Sequence, residues 1–270
     1  MTMRLRDRVT VVTGGASGIG EGIAARFAEE GAKVVVADVD AARGRSVAAS
    51  VGGVFVDCDV TRETDVAGSV ATALDRYGRL DCYVANAGFS FSDGPIIELD
   101  EEGFDRTVAV LLKGVAFGLK HAARAMRDRA GGSIICTSSI SAMSAGMGPH
   151  VYSACKAAVN SLTRTVAFEE GAYGTRVNCL CPGSIATSLP ARLLGLEHDD
   201  DRARLLDEAL SEAWAPDIAL RRRGTPSDVA GAAAWLASDD AAYVTGQAIV
   251  VDGGLALGKA LADVTSSRSD

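Results

Sequence analysis

Val9-Thr10-Val11-Val12-Thr13-Gly14-Gly15-Ala16-Ser17-Gly18-Ile19-Gly20 carries a β-branched run straight into a glycine-rich turn and on into an amphipathic stretch that reaches Glu30. A short apolar run of this kind predicts a strand covered on both faces, and the periodic stretch after it, stopped by Gly31, predicts a helix. At the opening of such a helix, backbone N–H groups and the helix dipole favour an anion such as a pyrophosphate. Glycine suits the position because the chain turns tightly and a Cβ would block the phosphates. A glycine cluster alone would serve any tight turn; its place between strand and helix makes this one informative.

The same alternation continues along the chain. Lys33 to Asp38, Gly53 to Asp57, Leu80 to Ala85, Gly132 to Ser138, Thr175 to Cys181 and Ala248 to Val251 are short apolar runs bounded by Gly, Asp or Pro. Helical stretches separate them, among them Tyr152 to Glu170, which Gly171 is placed to end in a left-handed cap. With Val9 to Thr13 these runs predict a doubly wound α/β fold around a parallel sheet of about seven strands. No linker or composition break interrupts the 270 residues, so one domain over 1–270 is expected. Ser188 to Arg223 lacks a strand and is expected to form a helical substrate lid, and the polar stretch 256–270 a frayed tail. Sheets of this kind bind ligands beyond the carboxyl ends of their strands, where strand order reverses.

Composition narrows the partners. The chain is 48% hydrophobic and 23% charged with a net charge of −8, the wrong sign for attracting nucleic acid or an anionic membrane surface. The basic run Arg221 to Arg223 reads as a solvated loop or a salt-bridged helix start and is assigned no function. Cys58, Cys82, Cys136, Cys155, Cys179 and Cys181 form no CxxC pair and the three histidines are scattered, so no metal site is expected. The thiols read as small buried residues of a reducing compartment. The N-terminal segment runs into an apolar stretch too short for a signal peptide or a membrane span, which points to the cytoplasm.

Two further groups carry chemistry. Asp38 ends the second strand about twenty residues beyond the turn, where a carboxylate can accept hydrogen bonds from ribose hydroxyls and would repel a 2′-phosphate. No cation stands at Ser17 or Val39 to receive such a phosphate, so NAD is the expected cofactor. Tyr152 and Lys156, four apart at the start of a helix, share one face. Lowering a phenol from a pKa of about 10 by roughly three units takes about 4 kcal/mol of preference for the phenolate. A neighbouring ammonium supplies part of it, and the positive ring of an oxidised nicotinamide can add more. Ser139, at a strand end, can hold a substrate carbonyl or alcohol oxygen; Ser138 competes with it for that place.

In this order Thr13-Gly14-x-x-x-Gly18-Ile19-Gly20, Asp59-Val60, Asn86-Ala87-Gly88, Ser139, Tyr152-x-x-x-Lys156, Pro182-Gly183 with Thr187, and Tyr243-Val-Thr-Gly246 through Asp252-Gly-Gly254 resemble the short-chain dehydrogenase/reductase family over nearly the whole chain. The resemblance implies a Rossmann-type domain in which Tyr152 transfers a proton. Lys156 would bind the nicotinamide ribose and lower the tyrosine pKa, and Ser139 would position the reacting oxygen. It places Gly14, Ser17, Gly18, Ile19 and Gly20 at the pyrophosphate, Asp59 and Val60 at the adenine, and Asn86, Ala87 and Gly88 along the cofactor cleft. Thr187 would meet the carboxamide, with Pro182, Gly183 and Ile185 in the same cofactor-binding loop. The implied reaction is hydride transfer between NAD and a secondary alcohol or its ketone, and the implied assembly is a homotetramer packed through the helices around Phe104 to Met126 and Tyr152 to Glu170 and through the C-terminal strand.

One position departs from the family pattern. Where the family has Asn in a segment resembling Val-Asn-Leu-x-Gly, this chain reads Val110-Leu111-Leu112-Lys113-Gly114. The missing Asn is associated with a water that relays protons from the lysine, and leucine accepts no hydrogen bond. Three function classes therefore stand: an NAD-linked alcohol dehydrogenase or ketone reductase, an acyl-carrier ketoacyl reductase, and a noncatalytic or weakly active NAD-binding protein. Asp38 and the acidic balance speak against the second, and the intact Ser139, Tyr152 and Lys156 against the third. Leu189, Leu193, Leu194, Leu196, Leu205, Leu206 and Trp214 in the expected lid suggest an apolar, ring-sized substrate.

Overall fold

Valine-rich segments become strands here because helices cover both of their faces. The protein is described by a computed structural model over residues 3–91, 94–129, 131–187 and 201–258. Strands β1 (Val9–Thr13), β2 (Lys33–Asp38), β3 (Val54–Asp57), β4 (Cys82–Ala85), β5 (Gly132–Thr137), β6 (Thr175–Pro182) and β7 (Ala248–Val251) form one seven-stranded sheet of order β3-β2-β1-β4-β5-β6-β7. Every pairing is parallel. This is the doubly wound Rossmann-type architecture expected from the alternation. The helices are α1 (Gly18–Glu29), α2 (Ala41–Ser50), α3 (Glu63–Tyr77), α4 (Glu101–Val108), α5 (Gly114–Arg127), α6 (His150–Glu170), α7 (Asp201–Trp214) and α8 (Pro226–Ala237).

Side chains alternate between two cores. Ile134 and Cys136 of β5 face α3, α5 and α6, while Ile135 between them faces α1 and α8. Both isoleucines are fully buried, each contributing about 1.5–3 kcal/mol. The six cysteines are likewise buried and unpaired. Burial pushes Cys58, Cys82 and Cys136 up to about 12, which keeps these thiols neutral.

Local chemistry sets the ends of the elements. Thr225 caps α8 by accepting the Asp228 amide while Asp228 accepts the Thr225 amide, with Pro226 in the first turn. Arg222 adds two bonds to the same carboxylate and holds it well below the usual range, so it is the salt-bridged helix start that the basic run suggested. Arg223 is different: it is turned inward and buried.

Several expected boundaries shift. Gly53 and Leu80-Asp81 stay outside β3 and β4: the Gly53 amide donates to the Ala48 carbonyl, and Asp81 uses its carboxylate to accept the Val9 amide. β5 stops at Thr137, and α6 starts at His150, after Pro149. Gly171 follows α6 in a right-handed rather than a left-handed conformation, with φ −57°, and begins a short 3-10 turn to Tyr173. The left-handed residue is Gly174, at φ 76°, pressed against the backbone of Gly131. In the expected lid, α7 is helical as read, whereas Leu189, Leu193, Leu194 and Leu196 lie outside the described residues, as does most of the polar tail. Among the described residues no helix is long and apolar enough to cross a membrane.

Candidate active site

The chain leaves β1 for β2 and β3 on one side and returns to β4 on the other, so strand order reverses between β1 and β4. The sequence motifs converge at the carboxyl ends of these two strands. Asn86, just past β4, ties the region together. Its Nδ2 donates to the carbonyls of Thr13 (3.1 Å) and Gly14 (3.3 Å), and its Oδ1 accepts from Thr137 Oγ1 (3.2 Å) on β5. Thr13 Oγ1 in turn donates to the Val84 carbonyl and accepts the amides of Asn86 and Ala87.

The glycine turn lies in this frame. Gly14 has φ 64°, and a Cβ on it would approach Ala87 Cα to 2.7 Å. Gly18, with φ 55°, opens α1 beneath the Thr187 methyl, which a Cβ would meet at 3.3 Å. The first amides of α1 have no carbonyl partner within the helix, so Gly18, Ile19 and Gly20 present donors at its positive end. Asp38 stands beside the turn at the end of β2. Its Oδ2 accepts the Ala16 amide and its Oδ1 the Asp40 amide, both at 2.9 Å. Asp59, after β3, accepts both the amide and hydroxyl of Thr61, and Val60 is buried against Gly114. Pro182 ends β6; Gly183 bonds the Val251 carbonyl, and Ile185 is bridged to Gly224. An N-terminal amide cradle flanked by a carboxylate and lined by glycine fits a dinucleotide.

Ser139, Tyr152 and Lys156 are brought together. Ser139 Oγ accepts the Ser141 amide at 3.1 Å, and the same hydroxyl lies near enough to Tyr152 to act on its phenol. Lys156 is 4% exposed, and its Nζ donates to the Thr137 carbonyl at 2.7 Å, lying 5.4 Å from the Tyr152 ring centroid. Burial pushes the lysine down to about 8. Burial also holds the Tyr152 phenol above the ordinary tyrosine range, with the Ser139 hydroxyl acting in the opposite sense. The expected lowering of the tyrosine is thus not a property of the protein by itself: the ammonium is aimed at a backbone carbonyl. The two serines have separate tasks, since the Ser138 hydroxyl donates to the Lys156 backbone carbonyl at 3.0 Å and clamps α6 to β5.

Leu111 occupies the expected place. It lies on a π-helical turn, Ala109–Lys113, between α4 and α5, fully buried against Val151, Cys155 and Tyr152. π-turns of this kind often mark functional sites, because they bulge the ladder and re-aim side chains. Beside α6, a cavity of about 220 Å³ is lined by Phe91, Ile96, Leu99 and Val151, with Glu98 and His150 at its polar side. The roles of Thr137 as lysine anchor and of Arg223 as a buried cation were not recognised in the sequence; a carbonyl acceptor leaves no trace in residue type, and Arg223 sits in a run of like residues.

Comparisons with known proteins follow this geometry. The family model described as enoyl-(acyl carrier protein) reductase matches residues 14–256. Short-chain dehydrogenase reductase ATA1 of Arabidopsis thaliana is 42% identical over 255 residues, covering 93% of each chain. (+)-Borneol dehydrogenase 2 of Salvia officinalis is 43% identical, covering 94% of this chain and 91% of its own. The crystal structure of levodione reductase superposes with a TM-score of 0.84 at 32% identity, over 94% of this chain and 99% of that one.

Proposed function

This chain belongs to the short-chain dehydrogenase/reductase family, and from that premise we propose that it moves a hydride between NAD(H) and a secondary alcohol or its ketone. The observation that carries the reading is the convergence of Ser139, Tyr152 and a lysine anchored on Thr137, near the strand ends that also hold the glycine turn.

Gly14, Ser17, Gly18, Ile19 and Gly20 would hold the pyrophosphate and Asp59 with Val60 the adenine. Asn86 to Gly88 would wall the cleft, and Thr187 would meet the carboxamide, with Pro182, Gly183 and Ile185 in the same cofactor-binding loop. Asp38 supports NAD over NADP. Each of its oxygens keeps a lone pair after accepting a backbone amide, enough for a ribose diol, while its charge repels a 2′-phosphate. When bound, the dinucleotide supplies the hydride donor or acceptor and, oxidised, a positive charge.

The chain's own residues handle the proton. A substrate oxygen placed between Ser139 and Tyr152 accepts a hydrogen bond from the serine. In the reducing direction the buried, protonated phenol gives its proton to the carbonyl oxygen. In the oxidising direction the Tyr152 phenolate, favoured by the Lys156 ammonium, takes the proton of the hydroxyl at Oη and becomes the phenol. Burial of Ser139 and Lys156 strengthens these interactions by excluding water.

A cyclic, largely apolar substrate is supported by the relative named for borneol, a cyclic secondary alcohol. A homotetramer is supported by bulky side chains left uncovered on α6 and near β7, Phe168 at 92% exposure and Tyr243 at 104%. The buried thiols support a reducing compartment, the cytoplasm.

A second reading, a weakly active or noncatalytic NAD-binding protein, is favoured by Leu111 alone. The test is to mix purified protein with NAD or NADP and a panel of cyclic and linear secondary alcohols, following reduced nicotinamide by its near-ultraviolet absorbance. NAD-dependent turnover abolished in Tyr152→Phe is the expected result. Tight NAD binding with no turnover on any alcohol or ketone would transfer the case to the second reading.

A further inference from the structure

An arginine at 7% exposure needs acceptors for its N–H groups, and Arg223 has at least one on each of its three nitrogens. Its Nε donates to Ser184 Oγ (3.1 Å) and its Nη2 to the Ile185 carbonyl (2.9 Å). Its Nη1 donates to Asp207 Oδ1 (2.7 Å) and reaches Ser211 Oγ (3.5 Å). Asp207 and Ser211 are one turn apart on a single face of α7. Ser184 and Ile185 belong to the loop leaving β6, which runs on to the Thr187 methyl over Gly18. One planar fork therefore joins α7 to the loop that borders the glycine turn. A lysine, a point charge on a flexible stem, cannot span both. The neighbouring cations are engaged elsewhere, Arg222 with Asp228 and Arg221 with the Pro216 carbonyl.

We infer that Arg223 is a positioning residue for dinucleotide binding: through Asp207 it fixes α7 and the 183–187 loop as one unit in the shape the dinucleotide meets, without touching the dinucleotide itself. The inference rests on the proposed nicotinamide dependence. It adds a requirement that the residues at the cleft do not express, namely that affinity depends on an ion pair outside the cleft.

The test uses Arg223→Met, Arg223→Lys and the milder Asp207→Asn in the full chain. NAD binding is titrated by intrinsic fluorescence, Trp214 standing at the end of α7, and folding is checked by circular dichroism and Tm. Misplacement of a binding loop is expected to weaken NAD binding and raise its KM roughly tenfold or more in Arg223→Met and Asp207→Asn, with kcat at saturating NAD within about twofold. Arg223→Lys should recover only part of the affinity. Folded variants that bind NAD as the wild type does overturn the inference, and so does a lowered Tm with unchanged affinity. A wild-type chain that binds neither NAD nor NADP would instead sink the functional reading, and this one with it.

Discussion

Leu111 and Lys156 meet at Gly88, where a Cβ would lie 3.2 Å from the leucine Cδ2 and 3.7 Å from the lysine Nζ. The ammonium donates to the Thr137 carbonyl, and both side chains end beside Gly88. Apolar surroundings disfavour the charged form, in keeping with a lysine pushed down to about 8 by burial.

Leu111→Asn tests those surroundings. An amide oxygen near the ammonium stabilises its charged form, so the ionisation assigned to Lys156 in a pH–rate profile should move upward from about 8. Turnover should change by less than about tenfold, while stability falls by about 1–3 kcal/mol because a polar group enters a dry core. A rise in turnover of several orders of magnitude would show the natural chain to be a crippled enzyme.

Lys156 also makes stability depend on pH. Its folded value of about 8 lies below the ordinary 10.5, so between those values the unfolded chain binds more protons and stability rises with pH. The penalty is fully present below 8 and is relieved as pH climbs toward 10.5. Unfolding of the wild type and Lys156→Met by urea, at pH values on either side of this window, should show the wild type gaining on the variant as pH rises. A constant difference would contradict the burial of a charged lysine.

The two adjacent serines should separate cleanly. Ser139→Ala and Tyr152→Phe are each expected to lower kcat by about 10²–10⁴ while leaving NAD binding intact. Ser138→Ala loses the clamp on the Lys156 carbonyl, costing about 1 kcal/mol of stability with a smaller effect on kcat. A larger kcat loss in Ser138→Ala than in Ser139→Ala would reverse the assignment.

Asp38→Asn keeps an oxygen for the Ala16 amide but removes the charge that a 2′-phosphate would meet. NAD affinity should fall and NADP affinity should rise, closing the gap between them; each lost charge-assisted bond is worth about 1.5–3 kcal/mol. Competitive titration of both dinucleotides measures it, and an unchanged preference would remove Asp38 from cofactor selection.

What was legible in the sequence was local. The glycine turn, Asp38 at a strand end and the Tyr152–Lys156 spacing each express their geometry within a few residues of chain, and the valine runs carry the sheet because burial on both faces demands them. Long-range partners left no such mark. The Thr137 anchor of Lys156 is a backbone atom that any residue could supply, and Arg223 acquires its meaning only when α7 and the β6 loop fold against it. Gly171 looked like a left-handed cap because it follows the periodic stretch, but the chain continues in a short 3-10 turn and the left-handed residue is Gly174, three positions later. The π-turn at Leu111 was hidden for a related reason, since which carbonyl a helical amide bonds leaves no mark in residue type.

Asn86 bonds to the carbonyls of Thr13 and Gly14 and to the Thr137 hydroxyl, so a single amide rivets the ends of β1, β4 and β5. The aperture between the first and fourth strands is therefore a standing dimension of the molecule rather than something a ligand must pry apart. A nucleotide reaching this edge would need no unlocking step at the sheet itself.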